Sequence, residues 1–197
     1  IIELIEEGFE NLYVILDNTR EIDLLKDRTE KMINLGIRIA AEEEPKFEFY
    51  TSRLGIGYQF IVPFYENKIK ELPNARLKML HFFINTGIKD TAYYWNELNK
   101  CVAVYGKLKK VCESLDSLNI GGGFPIKRNL NFNYDYAYMI KEIVGQIKQG
   151  CVEQDIKEPH LFTEFGSYTV GESGGTVFKI IHQKKQNDRE KWNMIDG

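Results

Sequence analysis

The sequence predicts an α/β fold built on a parallel sheet, followed by the start of a separate β segment. Three observations predict it. Short runs of β-forming apolar residues alternate with helical stripes spaced by 3 or 4. Those runs are nearly continuous rather than alternating with polar residues, which suits strands covered on both faces. After Gly171 the alternation stops and β-rich sequence follows. About five strand–helix units with right-handed crossovers suit either a doubly wound sheet or an arc of a (β/α)8 barrel.

The opening residues read as half an amphipathic helix stopped at Gly8. Residues 12–17 (Leu-Tyr-Val-Ile-Leu-Asp) form the first strand, and residues 19–34 are expected to be a helix capped by Asn18, with apolar positions at 22, 25, 32 and 33. Residues 35–41 form the second strand, closed by the acidic turn Glu42-Glu43-Glu44-Pro45 and a loop carrying Phe47, Phe49 and Tyr50. A short helix is expected over 63–72 with Pro63 in its first turn. Residues 77–85 are the third strand. Residues 91–115 are a long helix with Trp95, Leu98, Val102, Tyr105, Leu108 and Cys112 on one face. Residues 115–120 form the fourth strand, which ends in Gly121-Gly122-Gly123. In the helix over 133–149, Tyr136, Met139, Ile140, Ile143, Val144 and Ile147 make one stripe, and residues 161–165 form the fifth strand. Residues 1–173 therefore read as one α/β unit. Residues 174–197 read as the start of a C-terminal β domain, with 176–183 β-rich and 192–197 a strand lacking a partner.

A length of 197 residues suits one compact domain. Lys and Arg total 26 against 29 Asp and Glu, a net charge of −3. That balance gives none of the electrostatic footprint of a nucleic-acid binder or a polybasic membrane anchor. Apolar runs are too short to span a bilayer. Glu3, Glu6 and Glu7 stand where a secretory signal would be basic. Both ends read as cuts inside a longer fold. Cys101, Cys112 and Cys151 are expected to be buried thiols of a reducing cytosol. The three histidines, His81, His160 and His182, lack metal-ligand spacing, so no metal is expected.

The chemistry-bearing residues fall at strand ends. Gly121, Gly122 and Gly123 follow a buried strand directly, where bare amides can approach an anion. The alternative is a tight turn. Glu164 ends an apolar strand and needs a cation or a protonated ring nitrogen, unless solvent reaches it. Gly166 and Ser167 add an amide and a hydroxyl beside it, and Thr86 offers a hydroxyl at the same rim. His81 lies mid-strand and reads as a satisfied core histidine, with Phe83 on the same strand face. Arg38, inside a buried strand, needs an anionic partner, for which Glu164 or a phosphate would serve. Residues 42–44 and 188–191 read as solvated charge runs. A phosphate with a basic ring nitrogen fits this set, and pyridoxal 5'-phosphate is such a cofactor.

Five motifs in order carry a resemblance. Leu118-Asn119-Ile120-Gly121-Gly122-Gly123-Phe124-Pro125 resembles a strand-GGG-F-P phosphate loop, and Thr163-Glu164-Phe165-Gly166-Ser167 resembles an E-P-G-R segment. Leu80-His81-Phe82-Phe83-Ile84-Asn85-Thr86-Gly87 is similar to L-H-F-H-x-G-S, Gly36-Ile37-Arg38-Ile39 to G-x-R-I, and Ser52-Arg53-Leu54-Gly55-Ile56 to S-K-F-G-L. Together they resemble the fold-type III (alanine-racemase-fold) pyridoxal-phosphate decarboxylases, which act on ornithine, arginine, diaminopimelate and carboxynorspermidine. Within that family the sequence is most similar to the arginine decarboxylases of bacterial polyamine synthesis.

The resemblance implies a partial (β/α)8 barrel and a cytoplasmic, homodimeric parent enzyme that decarboxylates a basic amino acid, arginine to agmatine and CO2. It implies that Gly121, Gly122, Gly123, Gly166 and Thr86 hold the phosphate, that Glu164 pairs with the ring nitrogen, and that Phe83 stands where a histidine stacks on the ring. Phe165 and Ser167 replace the proline and arginine of E-P-G-R. The lysine that carries the cofactor is expected upstream of Ile1 and a cysteine motif downstream of Gly197, so this chain alone is expected to be inactive. A non-catalytic or regulatory homologue and an unrelated phosphate-binding α/β protein are the alternative readings.

Overall fold

A computed structural model describes residues 1–42, 52–127 and 131–197. Glu43, Glu44, Pro45, Phe47, Phe49 and Tyr50 of the expected acidic turn and loop lie outside the described residues. The elements run α1 (Ile2–Glu6), β1 (Tyr13–Leu16), β2 (Ile33–Ala40), β3 (Ile56–Gly57), α2 (Tyr58–Phe64), β4 (Ala75–His81) and α3 (Ala92–Val111). They continue with β5 (Ser117–Asn119), α4 (Tyr136–Glu153), β6 (His160–Phe162), α5 (Gly166–Val170), β7 (Ile180–Lys185) and β8 (Lys191–Ile195). The main sheet is parallel in the order β1-β2-β4-β5-β6, with β3 added to β2.

Strand register separates an apolar face from a polar one. Leu16, Ile37, Leu80 and Leu118 share one row across the sheet and are at most 1% exposed. They join one hydrophobic cluster with Leu98, Val102 and Tyr105 of α3 and Met139, Ile143 and Ile147 of α4. Successive side chains on a strand point to opposite faces, so the next row, Arg38, His81 and Asn119, faces away from the helices. The sheet curls around that face. Tyr13 on one edge strand meets Phe162 on the other, ring centroids 5.8 Å apart. In a flat sheet four strand spacings would separate them by about 19 Å. This is an arc of a barrel, with its polar face on the concave side.

The helix expected over 19–34 is not formed. Only a 3-10 turn, Glu21–Leu24, is present, and β2 already starts at Ile33. Ile22 and Leu25 reach the core while Leu24 and Met32 do not. From Ile33 the spacing is that of a strand, with Ile33, Leu35, Ile37 and Ile39 at most 1% exposed. The helix expected at 63–72 begins at Tyr58, so Pro63 falls in its last turn, where its missing N–H is followed by a π turn, Tyr65–Ile69. The fifth strand is shorter than expected and ends at Phe162. As an edge strand it is exposed throughout. Residues 192–197 do have a partner: β8 pairs antiparallel with β7 in a separate two-stranded sheet. All three cysteines are buried and unbridged. No helix of the described residues is long and apolar enough to cross a membrane.

Candidate functional site

The carboxyl ends of β4, β5 and β6 bring the glycine loop and Glu164 into contact. The Glu164 amide donates to the Gly121 carbonyl oxygen at 2.8 Å. A Cβ on Gly122 would lie 2.3 Å from the Glu164 carbonyl oxygen, so only glycine lets the two backbones approach this closely. Gly121 takes φ +67°, and a Cβ there would sit 2.7 Å from the Phe82 carbonyl oxygen and 3.0 Å from the Phe83 ring. Thr86 is half-buried in the turn after β4, which is tied to the same loop by the Ile88 amide donating to the Gly123 carbonyl at 2.9 Å. Gly166 and Ser167 open α5, and the Gly166 amide donates to the Glu164 carbonyl at 2.9 Å. The Gly121 amide is already taken by Asn119 Oδ1 at 2.8 Å. Within the glycine loop, the Gly122 and Gly123 amides meet no acceptor among the described residues.

Asn119 is the hub of the cluster, and the sequence reading passed over it. Its Oδ1 holds the glycine loop while its Nδ2 donates to Glu164 Oε1 at 2.8 Å. The signal was present: an asparagine between Leu118 and Ile120 in a buried strand must have its polar atoms satisfied. His81 Nε2 lies 3.4 Å from the same Oε1. Contrary to expectation His81 is not a satisfied core histidine, since neither ring nitrogen has a hydrogen-bond partner. Burial lowers its pKa below the ordinary histidine value; Glu164 opposes that shift and Arg38 adds to it. Burial thus favours the neutral form of the ring.

Arg38 does not pair with Glu164. Its Nη1 is 4.0 Å from Asp17 Oδ1, its Nε is buried without a partner, and its guanidinium lies 5.6 Å from the centroid of the half-buried Phe83 ring. Behind the glycine loop, Phe124 packs on Phe165 at 4.4 Å and Tyr136 on Tyr168 at 4.7 Å. The Tyr136 hydroxyl donates to the Pro125 carbonyl at 2.6 Å, and the Tyr134 hydroxyl to that of Ile88 at 3.0 Å. These aromatic contacts fasten residues 165–168 to the loop. A cavity of about 700 Å³ opens at the other end of the sheet among Phe9, Lys31 and Arg76. Barrel enzymes place their chemistry at the carboxyl ends of the strands, so the cluster of Glu164 and the glycine loop is the candidate site.

Gly122→Ala is expected to cost about 1–3 kcal/mol, because the neighbour it would strike is backbone and cannot swing aside. At about 2–4 °C per kcal/mol, thermal melting should show a drop of about 5 °C. An unchanged melting temperature would mean that the two backbones are not this close.

A curled parallel sheet with a glycine loop, a carboxylate and buried polar side chains at its carboxyl end defines a barrel domain of the ligand-binding (β/α) class. The family model described as the pyridoxal-dependent decarboxylase pyridoxal-binding domain matches residues 3–171, and the chain belongs to that family, whose cofactor is pyridoxal phosphate. It is similar to the biosynthetic arginine decarboxylase of Pseudomonas putida, 21% identical over 193 residues that cover 90% of this chain and 30% of that protein. It is also similar to the diaminopimelate decarboxylase of Staphylococcus aureus, 25% identical over 197 residues, covering 94% of this chain and 45% of that protein. Among solved structures, the Helicobacter pylori diaminopimelate decarboxylase complexed with L-lysine superposes with a TM-score of 0.76 at 16% identity, covering 100% of this chain and 49% of that one. The chain thus spans less than half the length of these relatives.

Proposed function

We propose that the complete protein decarboxylates arginine to agmatine and CO2, a reaction of polyamine synthesis, with pyridoxal phosphate held at the glycine loop. The observation that carries this reading is the direct contact between Glu164 and Gly121–Gly122, which sets a carboxylate beside two amides that meet no acceptor. That donor set fits a phosphorylated pyridine. Gly122 and Gly123, with Thr86, Gly166 and Ser167 around them, would bind the phosphate through N–H and hydroxyl donors. The Glu164 carboxylate would hold a proton on the ring nitrogen. Phe83, with Arg38 against its ring, would pack on the pyridine plane. Gly121 would act through the turn it allows. Bound pyridoxal phosphate supplies the electron-accepting ring that takes up charge as CO2 leaves.

The similarity to biosynthetic arginine decarboxylases of two Pseudomonas species supports arginine as substrate. The Staphylococcus aureus relative keeps diaminopimelate as the competing one. The complete protein, assayed against arginine, ornithine, diaminopimelate and carboxynorspermidine, should show a kcat/KM at least about tenfold higher for arginine, about 1.4 kcal/mol of discrimination. A preference for any of the others overturns that assignment. Phe83 and Ser167 favour a second reading, a non-catalytic homologue, which predicts cofactor binding with turnover of none of the four. We place the parent in the cytoplasm as a homodimer. Residues 174–197 would begin its C-terminal β domain; the exposed Val177, Phe178, Ile181 and Trp192 support a covering segment there.

A further inference from the structure

His81 is the buried histidine of this chain, whereas His160 and His182 are exposed. Buried polar side-chain atoms are nearly always hydrogen-bonded, so an imidazole with two unpartnered nitrogens calls for a physical reason. Register supplies one. Arg38, His81 and Asn119 sit side by side on the concave face of β2, β4 and β5, and Glu164 reaches over the same row from beyond β6. Asn119 Nδ2 hydrogen-bonds one carboxylate oxygen, Oε1, at 2.8 Å, and His81 Nε2 lies 3.4 Å from the same oxygen, close enough that a small turn of the imidazole closes the contact into a second hydrogen bond. A carboxylate oxygen accepts two such donors. Oε2 has no partner among the described residues. The charged groups facing the imidazole are Glu164 and Arg38, with Asp17 behind Arg38.

We propose that His81 is a positioning residue for Glu164: its Nε2–H and the Asn119 amide together fix Oε1, so that Oε2 is the oxygen offered to a basic ring nitrogen. The choice of a ring nitrogen rests on the proposed function; the pairing of His81 with Glu164 does not. A half-exposed glutamate has several rotors to immobilise when a ligand arrives. Holding one oxygen beforehand removes that cost from binding, and a neutral imidazole donates without competing for the carboxylate charge.

The test uses the complete protein with 15N-labelled histidine, the His81 signals being assigned by their loss in His81→Gln. Without cofactor, His81 should be the Nε2–H tautomer. Glu164→Gln should shift its ring nitrogens and lower its titration midpoint, because the carboxylate is the neighbour that raises it. An Nδ1–H tautomer, or signals indifferent to Glu164→Gln, overturns the pairing. With cofactor, His81→Leu should weaken binding of pyridoxal phosphate about tenfold, while His81→Gln, which keeps an N–H donor, should lose no more than about threefold. An analogue with CH in place of the ring nitrogen should bind wild type and His81→Leu alike. If both ligands weaken equally, His81 is only structural and the proposal fails. If His81→Leu does not fold, the tautomer and the Gln variants decide it. If wild type binds neither ligand, the pyridoxal-phosphate reading falls while the His81–Glu164 pairing is still judged by the spectra.

Discussion

Replacing Glu164 by alanine in the complete protein is expected to slow decarboxylation by about ten- to a hundredfold and to lower the melting temperature by no more than about 4 °C. The two effects separate because of where the side chain stands. It is 52% exposed and makes one hydrogen bond, from Asn119 Nδ2, so the folded state loses on the order of 1 kcal/mol. In the proposed role, though, the carboxylate holds a proton on the cofactor ring by a charge-assisted hydrogen bond. Such bonds contribute about 1.5–3 kcal/mol, and each 1.36 kcal/mol is a factor of about ten in rate. Steady-state kinetics with arginine, beside a thermal melt of the same preparation, reads both. A variant that loses about 10 °C as well as its activity would make Glu164 a structural residue, and the assignment to the ring nitrogen would fall.

Residues that lie close in sequence made much of this site legible. The glycine loop, Thr86 and Glu164 each follow an apolar run, and parallel strands all end at one rim, so the order of motifs along the chain predicts their convergence. What the sequence withholds is register. Asn119 and His81 lie 38 positions apart and face one another only because β4 and β5 pair His81 with Asn119. Asp17 becomes the neighbour of Arg38 through the pairing of β1 with β2, which puts Leu16 opposite Ile37. In α3 the helical period correctly places Leu98, Val102, Tyr105 and Leu108 inside. It leaves Trp95 half-buried, its indole N–H donating to Asp90 at 2.7 Å. The same period hides the least expected core residue, Glu97, which is completely buried. A carboxylate read from spacing alone looks solvated, and only its long-range partners reverse that reading.

Those partners make Glu97 the position where a substitution should destabilise the fold most. Its carboxylate accepts from the Glu42 amide at 3.0 Å, from the Tyr58 hydroxyl at 2.9 Å and from Lys100 Nζ at 2.8 Å. The hydroxyl proton of Tyr58 is held far more tightly than usual, first by burial and then by the Glu97 charge. Glu97→Leu would keep the volume but strand a buried hydroxyl and a backbone N–H, while Lys100 would retain Glu42. Removing one partner from a buried charged network costs about 3–5 kcal/mol, so the melting temperature should fall by about 10 °C. Glu97→Gln, which keeps an acceptor oxygen, should lose about half as much. Glu42 lies two residues past the end of β2, so Glu97 ties the end of the strand that carries Arg38 to α3. Well below the new melting temperature, kcat should therefore change less than about threefold, because the strand is tethered there rather than shaped. A large fall in kcat at full stability would instead give Glu97 a part in orienting Arg38, and this division between scaffold and site would have to be redrawn.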